Sequence, residues 1–277
     1  MELFDRVSIR CSKITTRMYS TSFSLGIHCI HKRLRDPIYA IYGFVRFADE
    51  IVDTFHDFNK EDLLARFKAD THSAIVERIS LNPILHSFQS AVNNYKIDNS
   101  LIEQFLKSMW MDLHKTDYNA DELKEYIVGS AEVVGLMCLR VFCEGNNALY
   151  DKLSPFARSL GSAFQKVNFL RDLNADYNGL GRIYFPSVKM SQWDASCKRD
   201  VEKSIEDDFA EALEGIKRLP RTSRLGVYVA YVYYRSLFNK IKNTSADAVL
   251  KERIRIPASD KARLLAYSYV KHQLNMI

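Results

Sequence analysis

The segment that decides the fold reads Gln165-Lys-Val-Asn168-Phe-Leu-Arg171-Asp172-Leu-Asn-Ala-Asp176. Gln165, Asn168, Asp172 and Asp176 have relative offsets of 0, 3, 7 and 11. On an α-helix these offsets fall within an arc of about 80°. The positions between them are mostly apolar, and a carboxylate is costly to bury there without a partner. The segment therefore predicts a largely buried helix with one polar face.

A second segment, Arg46-Phe-Ala-Asp49-Glu50-Ile-Val-Asp53, repeats the pattern. Two aspartates four residues apart on one helix repel each other by about 0.2–0.5 kcal/mol. A divalent cation shared between two such helices would reverse the sign of that interaction. The donors are oxygen atoms, which favours Mg²⁺ or Mn²⁺ over zinc. The predicted ligands are Asp49, Asp53, Asn168, Asp172 and Asp176.

An isolated pair of this kind is more often a solvated helix surface. Two pairs, each with an apolar setting and an amide or arginine on the same face, favour the metal interpretation. If a diphosphate is bound there, Arg46, Arg171 and Arg182 are candidates to bind it through charge-assisted hydrogen bonds. Arg171 lies off the aspartate face, so pairing with a neighbouring acid is the alternative for it. Gln165 would bind a metal-bound water or act as a further oxygen donor.

The composition predicts an all-α protein forming a single domain over 1–277. Only 10 glycines and 6 prolines occur, and 47% of the residues are hydrophobic. This argues against an all-β fold with many tight turns and supports a substantial core. Asp36 and Asn82 precede prolines and are predicted N-caps, and Gly145 is a predicted C-cap. The periodicity predicts helices at 4–18, 37–55, 60–78, 83–94, 99–115, 121–143, 147–177, 200–217, 221–243 and 258–274, with an irregular connection over 178–199.

Charge and cysteine content exclude several classes of protein. The formal net charge is +5, but the basic residues are scattered, which argues against nucleic-acid binding. Peripheral contact with an anionic membrane surface is compatible with this charge. Five cysteines without a C-x-x-C spacing argue against disulfides or zinc. No signal peptide or spanning segment is evident, so we expect a cytoplasmic protein, with peripheral membrane association as an open alternative.

The aspartate segments, taken with their neighbours, resemble the squalene/phytoene synthase family. The stretch from Gln165 to Pro186 is similar to that family's second signature, and Arg46 to Asp53 is similar to its first aspartate-rich motif. Tyr19-Ser20-Thr21-Ser22-Phe23-Ser24 resembles its N-terminal serine–phenylalanine segment, and Tyr126 through Gly135 resembles its tyrosine-bearing helix of small residues. The resemblance covers nearly the whole chain. It implies a helical isoprenoid-synthase fold with a central active-site cavity.

The resemblance also implies which residues carry the chemistry. Asp49, Asp53, Asp172 and Asp176 would promote departure of diphosphate, and Tyr126 and Tyr184 would act in catalysis. Further substrate contacts would come from Ser20, Ser22, Phe23 and Tyr233, although an N-cap role is the alternative for the serines.

The reaction implied by the resemblance is a head-to-head condensation of two prenyl diphosphates. We expect two geranylgeranyl diphosphates to give 15-cis-phytoene, with Mg²⁺ or Mn²⁺ and without NADPH. Gly26, Gly129 and Gly135 would leave space for a C20 chain. A farnesyl-using dehydrosqualene or squalene synthase, and a non-catalytic relative that binds prenyl lipids or assists assembly, are the alternatives. The oligomeric state is left open.

Overall fold

The helices of the computed structural model leave a cavity at the centre of the molecule. The structure describes residues 1–175, 184, 193–251, 253–275 and 277. These contain α-helices and one π-helical turn, Val128–Glu132, and no strand. The α-helices are α1 Glu2–Tyr19, α2 Thr21–Cys29, α3 Lys32–Asp53, α4 Lys60–Glu77, α5 Pro83–Tyr95, α6 Asn99–His114, α7 Ala120–Ile127, α8 Val133–Cys143, α9 Asn147–Ala175, α10 Ala195–Arg218, α11 Arg221–Lys242, α12 Ala246–Val249 and α13 Ala258–Gln273.

The all-α prediction is confirmed, and most helix limits lie within two residues of those expected. Four helices differ, one of them α3, which begins at Lys32 rather than at residue 37. The sequence pattern missed α2 and α12, which are short, and α10 begins at Ala195 rather than at residue 200. The early start of α10 follows from Asp194, whose Oδ1 accepts hydrogen bonds from the backbone N–H groups of Ser196 and Cys197.

Two of the three predicted helix caps are wrong. Asn82 caps α5 as expected, with Oδ1 accepting from Ile84 N at 3.0 Å. Asp36 does not cap α3, because the N-cap is His31, five residues earlier, and His31 Nδ1 accepts from Arg33 N. Pro37 therefore lies inside α3, where its fixed φ suits the helix although one backbone donor is lost. At the end of α8 the left-handed cap is Glu144, with φ of 48°, and Gly145 follows it.

The aromatic core beneath α3 is built around Phe44. Its ring stacks on Phe88 of α5 at a centroid distance of 3.9 Å and contacts Phe67 and Phe105. Phe44, Phe88 and Phe105 are fully buried. This cluster holds α3 between α5 and α6, so it fixes the direction in which the first aspartate pair points.

The run Ala120–Cys143 passes through the centre of the molecule. Among the described residues it is the one helical run long and apolar enough to cross a bilayer. An 18-residue part of it has mean hydropathy 1.6, and 56% of that part is buried. It packs against α6 and α9, so we interpret it as a core helix. At Gly129 a Cβ would lie 2.6 Å from the carbonyl oxygen of Gln104. The missing side chain therefore allows the π-helical turn to approach α6 closely.

We expect Phe44→Ala to lower the free energy of unfolding by about 3–5 kcal/mol, since it removes a fully buried ring and leaves a cavity. Phe58→Ala is the matched control, because Phe58 is 67% exposed and its loss should cost less than about 0.5 kcal/mol. Chemical denaturation of both variants measures the difference. Equal losses would contradict the central position of the Phe44 cluster.

Candidate active site

A cavity of about 640 Å³ lies between α2, α3, α8, α9 and α11, with side chains of α6 and α10 completing its wall. One end is polar and carries acidic, amide and arginine side chains from α3 and α9. The remainder is mainly apolar, with many small residues. The small residues on this wall are Gly26, Ser130, Ala131, Gly135, Ala157, Gly161, Ala212, Gly215, Gly226 and Ala230.

The polar end brings together the two aspartate segments. Asp49 and Asp53 from α3 line the same cavity as Asp172 from α9. Burial raises the pKa of Asp49 to about 8, the nearby charge of Asp53 adds to the rise, and Arg46 opposes it. Gln165 and Asn168 lie on this wall as the helical spacing predicts. Asp176 and Arg182 lie outside the described residues.

Arg46 is held between the first aspartate segment and the end of α1. Its Nη2 donates to Glu50, and its Nη1 lies 3.9 Å from Asp49 Oδ2. Its guanidinium covers the ring of Tyr19 at 4.3 Å from the ring centroid. Arg46 Nε is buried without a hydrogen-bond partner among the described residues. The described residues therefore fix the group at the cavity wall and leave one of its donors without a partner from among them.

Two arginines form ion pairs with Asp172. Arg171 donates to it through Nε and Nη2, which agrees with the alternative considered for Arg171. Arg253 Nε lies 2.7 Å from Asp172 Oδ1, and both arginines also line the cavity. The sequence analysis missed Arg253. Its only sequence signal is the basic segment 251–255, which lies far along the chain from both aspartate segments. These arginines add positive charge beside the carboxylates.

Four aromatic rings pack beside the carboxylates. Tyr184 stacks on Phe169 with centroids 4.1 Å apart, and Tyr126 lies 5.5 Å from Tyr184. Tyr118 lies 5.2 Å from Tyr126. Tyr126 and Tyr184, both predicted from the resemblance, therefore share one aromatic cluster on the cavity wall. The sequence analysis did not identify Tyr118.

Asp112 of α6 was also missed. It is 8% exposed and accepts hydrogen bonds from Tyr126 Oη at 2.8 Å and from Tyr118 Oη at 3.3 Å. Its charge contributes to the raised pKa of Asp49, so it faces the same end of the cavity. Burial, followed by this charge, raises the pKa of Tyr126 well above its ordinary value. The sequence signal that could have identified Asp112 is an acidic residue on the predicted buried face of an apolar helix.

The predicted substrate contacts divide into two groups. Ser20 and Phe23 line the cavity, and Ser20 Oγ also caps α2 by accepting from Phe23 N at 3.2 Å. Ser22 and Tyr233 are not brought to the cavity wall. Tyr233 instead lies beneath Lys261, at 5.4 Å from the ring centroid.

The neighbouring residue, Tyr234, occupies the wall in place of Tyr233. Its ring stacks on Phe164 with centroids 3.9 Å apart, and its Oη donates to Asn168 Oδ1 at 3.3 Å. Adjacent residues differ by about 100° around a helix, so Tyr234 rather than Tyr233 faces the cavity. Tyr42, on the same face of α3 as the aspartates, also lines the cavity.

Comparison with known proteins identifies the family. The family model for squalene/phytoene synthase matches residues 16–260. The chain belongs to the squalene/phytoene synthase family. Members of this family are prenyltransferases and depend in general on divalent metal ions.

Two relatives and one solved structure illustrate the similarity. A 4,4'-diapophytoene synthase of Staphylococcus haemolyticus is 24% identical over 85% of this chain and 87% of its own length. Phytoene synthase 1, chloroplastic, of Solanum lycopersicum is 27% identical over 98% of this chain and 68% of its own length. A dehydrosqualene synthase in complex with ligand superposes with a TM-score of 0.85 at 21% identity, covering 97% of this chain and 98% of that one. That structure supports the fold.

The donor chemistry of this family member fits a divalent cation held together with a diphosphate. In the described parts of the chain no three acidic, histidine or cysteine side chains form one metal-binding group. Mg²⁺ is usually bound by one or two carboxylates plus substrate phosphates rather than by a complete protein cage. Asp49 and Asp53 on one wall and Asp172 with Asn168 on the other match that arrangement.

The hydrogen bonds to Asp112 allow a matched test of the aromatic cluster. We expect Tyr126→Phe to lower the free energy of unfolding by about 1–3 kcal/mol, because a buried acceptor loses a donor. Tyr118→Phe should cost less, because its hydrogen bond to Asp112 is longer. Urea denaturation of both variants gives the comparison. A larger loss for Tyr118→Phe would contradict the geometry.

Proposed function

We propose that this prenyltransferase joins two geranylgeranyl diphosphates head to head to give 15-cis-phytoene, through a cyclopropyl diphosphate. The observation that carries the proposal is the pairing of Asp49 and Asp53 on α3 with Asp172 on α9 at the polar end of one mainly apolar cavity. Such a cavity can hold a charged diphosphate headgroup at one end and a hydrocarbon chain along its length. The family membership supplies the reaction class.

The carboxylates would hold the metal ions and, through them, the diphosphate. Bound Mg²⁺ supplies Lewis-acid stabilisation of the negative charge that develops on the departing diphosphate. We propose Asp49, Asp53, Asp172 and Asn168, which line the cavity, as ligands of the ions, and Asp176 as a further ligand on the sequence pattern. Gln165 lies one turn from Asn168 on the same wall and can orient bound water.

The arginines would neutralise the remaining charge of the diphosphate. Arg46 carries a buried Nε without a partner among the described residues, and Arg171 and Arg253 lie beside Asp172. Bound phosphate oxygens would accept charge-assisted hydrogen bonds from these groups. We retain Arg182 as a proposed phosphate contact from the sequence pattern.

The aromatic cluster would protect the allylic cation. Rings stabilise positive charge through their faces and offer no nucleophile. Tyr126, Tyr184 and Phe169 form one part of the wall, and Tyr234 with Phe164 forms another. The Tyr126 hydroxyl donates to a buried carboxylate at 2.8 Å, which holds its oxygen in place.

The atoms balance without a reductant. Loss of the first diphosphate gives an allylic cation, which attacks the double bond of the second substrate. Loss of one proton then closes the cyclopropane. Departure of the second diphosphate, rearrangement and loss of a second proton give the triene product. NADPH is therefore not expected.

Two observations support a C20 substrate. The relative from Solanum lycopersicum is named a phytoene synthase, and small residues line much of the cavity. A farnesyl-using enzyme making dehydrosqualene is the second candidate. The diapophytoene synthase of Staphylococcus haemolyticus and the dehydrosqualene synthase structure favour it. A non-catalytic prenyl-lipid binder or assembly factor is less favoured, because it would have no use for the acidic cavity end.

We expect Asp49→Asn and Asp172→Asn each to lower the rate of diphosphate release by at least about 10²-fold, because each weakens the binding of the metal ions that would stabilise the transition state. Asp57→Asn is the matched control, since Asp57 is exposed in the loop that follows α3. Diphosphate release with Mg²⁺ gives the rates, and circular dichroism reports folding. Unchanged rates in folded Asp172→Asn would contradict the metal model.

Incubation with each prenyl diphosphate distinguishes the candidates. With geranylgeranyl diphosphate and Mg²⁺ we expect 15-cis-phytoene by liquid chromatography and mass spectrometry, in the same amount with and without NADPH. Exclusive turnover of farnesyl diphosphate would establish the second candidate. Failure to consume either substrate would favour the non-catalytic alternative.

A further inference from the structure

The first helix buries a polar face and exposes an apolar one. The face of α1 that packs on α3 and α5 is polar, with Ser8, Ser12 and Thr16 fully buried. Ser12 Oγ lies 2.6 Å from Ser87 Oγ of α5. The small polar side chains let the helices approach closely, as a Cβ added at Gly43 would lie 2.9 Å from Ser12 Oγ.

The opposite face of α1 is an exposed apolar stripe. Leu3 is 67% exposed, Val7 45%, Ile14 56% and Met18 80%. On a helix these four positions fall within an arc of about 60°. No described residue covers them, and large apolar side chains in one row are an unusual surface for a protein that has no partner.

A row of positive charge runs alongside the stripe. Arg6, Arg10, Lys13 and Arg17 fall within the adjacent arc of about 60°. The three arginines are exposed, and none of the four basic residues forms an ion pair among the described residues. An apolar stripe flanked by cations is the arrangement of a helix that lies in the plane of a membrane surface.

We propose that the α1 face, defined as Leu3, Val7, Ile14 and Met18 with Arg6, Arg10, Lys13 and Arg17, docks onto an anionic lipid bilayer. The apolar side chains would enter the boundary between headgroups and acyl chains, and the basic row would lie against anionic headgroups. The row of basic residues favours an anionic lipid surface over a second copy of this chain as the partner of the α1 face. A copy would bring the same four cations against themselves.

The α1 face also leads directly to the cavity. Tyr19, the last residue of α1, lines the cavity together with Ser20 and Phe23. The ring of Tyr19 covers Arg46 at 4.3 Å, and its side chain is hydrogen-bonded to Glu50. Docking would therefore place this side of the cavity beside the bilayer. The entry of a prenyl chain from the lipid by this route rests on the proposed function, whereas the docking does not.

Sedimentation with vesicles, in the absence of substrate, tests the docking. The full chain is mixed with phosphatidylcholine vesicles, with or without about 30% phosphatidylglycerol, in about 0.1 M salt so that charges about 10 Å apart still interact. We expect binding to the anionic vesicles and a reduction of about tenfold or more in the variant Ile14→Glu/Met18→Glu, which places charge in the apolar boundary. The variant Val76→Glu/Leu81→Glu adds the same charge at side chains that are 81% and 91% exposed, and it should bind like the wild type.

A second pair of variants tests the basic row. Arg6→Gln/Arg10→Gln/Arg17→Gln should lose binding to anionic vesicles, whereas Lys152→Gln/Arg199→Gln/Lys203→Gln, at exposed positions elsewhere, should retain it. The proposal is overturned if the wild type ignores anionic vesicles, if both members of either pair lose binding equally, or if the face instead forms a dimer in solution. Diphosphate release by Ile14→Glu/Met18→Glu with detergent-dispersed substrate should match the wild type, so a failure of docking and a failure of the proposed reaction give different results.

Discussion

The site depends on the repulsion between carboxylates that two helices hold at one end of a buried cavity. Asp49 and Asp53 on α3 and Asp172 on α9 line that end, and Asp112 adds its charge from α6. The pKa of Asp49 is raised because burial and the neighbouring carboxylates make its charged form less favourable. In the proposed function, the metal ions that accompany a diphosphate would supply the positive charge that offsets this repulsion. In the same proposal, the arginines beside both aspartate segments would bind the diphosphate as well as pair with the acids.

The helices that carry these groups are positioned by packing far from the chemistry. The Phe44 cluster sets the direction of α3. In the run Ala120–Cys143, Gly129 lets the π-helical turn pack closely against α6. Gly129 was expected to leave space for a long substrate, but it faces α6 rather than the cavity. Gly26 and Gly135 do line the cavity, yet each also faces a backbone oxygen of the adjacent helix, at 3.1 and 2.9 Å from an added Cβ. These glycines therefore serve helix packing as well as cavity width.

The sequence predicted what depends on local periodicity and missed what depends on tertiary contacts. Helical spacing alone predicts that Asp49 and Asp53 share one helix face and that Asn168 and Asp172 share another. The structure places all four side chains on the cavity wall. Helical spacing did not single out Asp112, because its partners Tyr118 and Tyr126 lie beyond the end of α6 and reach it only through the packing of the helices. Tyr233 and Tyr234 are chemically alike and adjacent, so only the packing of α11 decides which one reaches the cavity. The short helix α2 was missed because nine residues give a weak periodic signal.

A crystal structure with Mn²⁺ and an unreactive thiolo analogue of the prenyl diphosphate tests the central claim most directly. The anomalous signal of manganese locates the ions without reference to activity. The account predicts peaks between the diphosphate and the carboxylates of Asp49 and Asp53 on one side, and Asp172 with Asn168 on the other. A diphosphate bound elsewhere, or one bound in the cavity with no manganese at either helix, would contradict it.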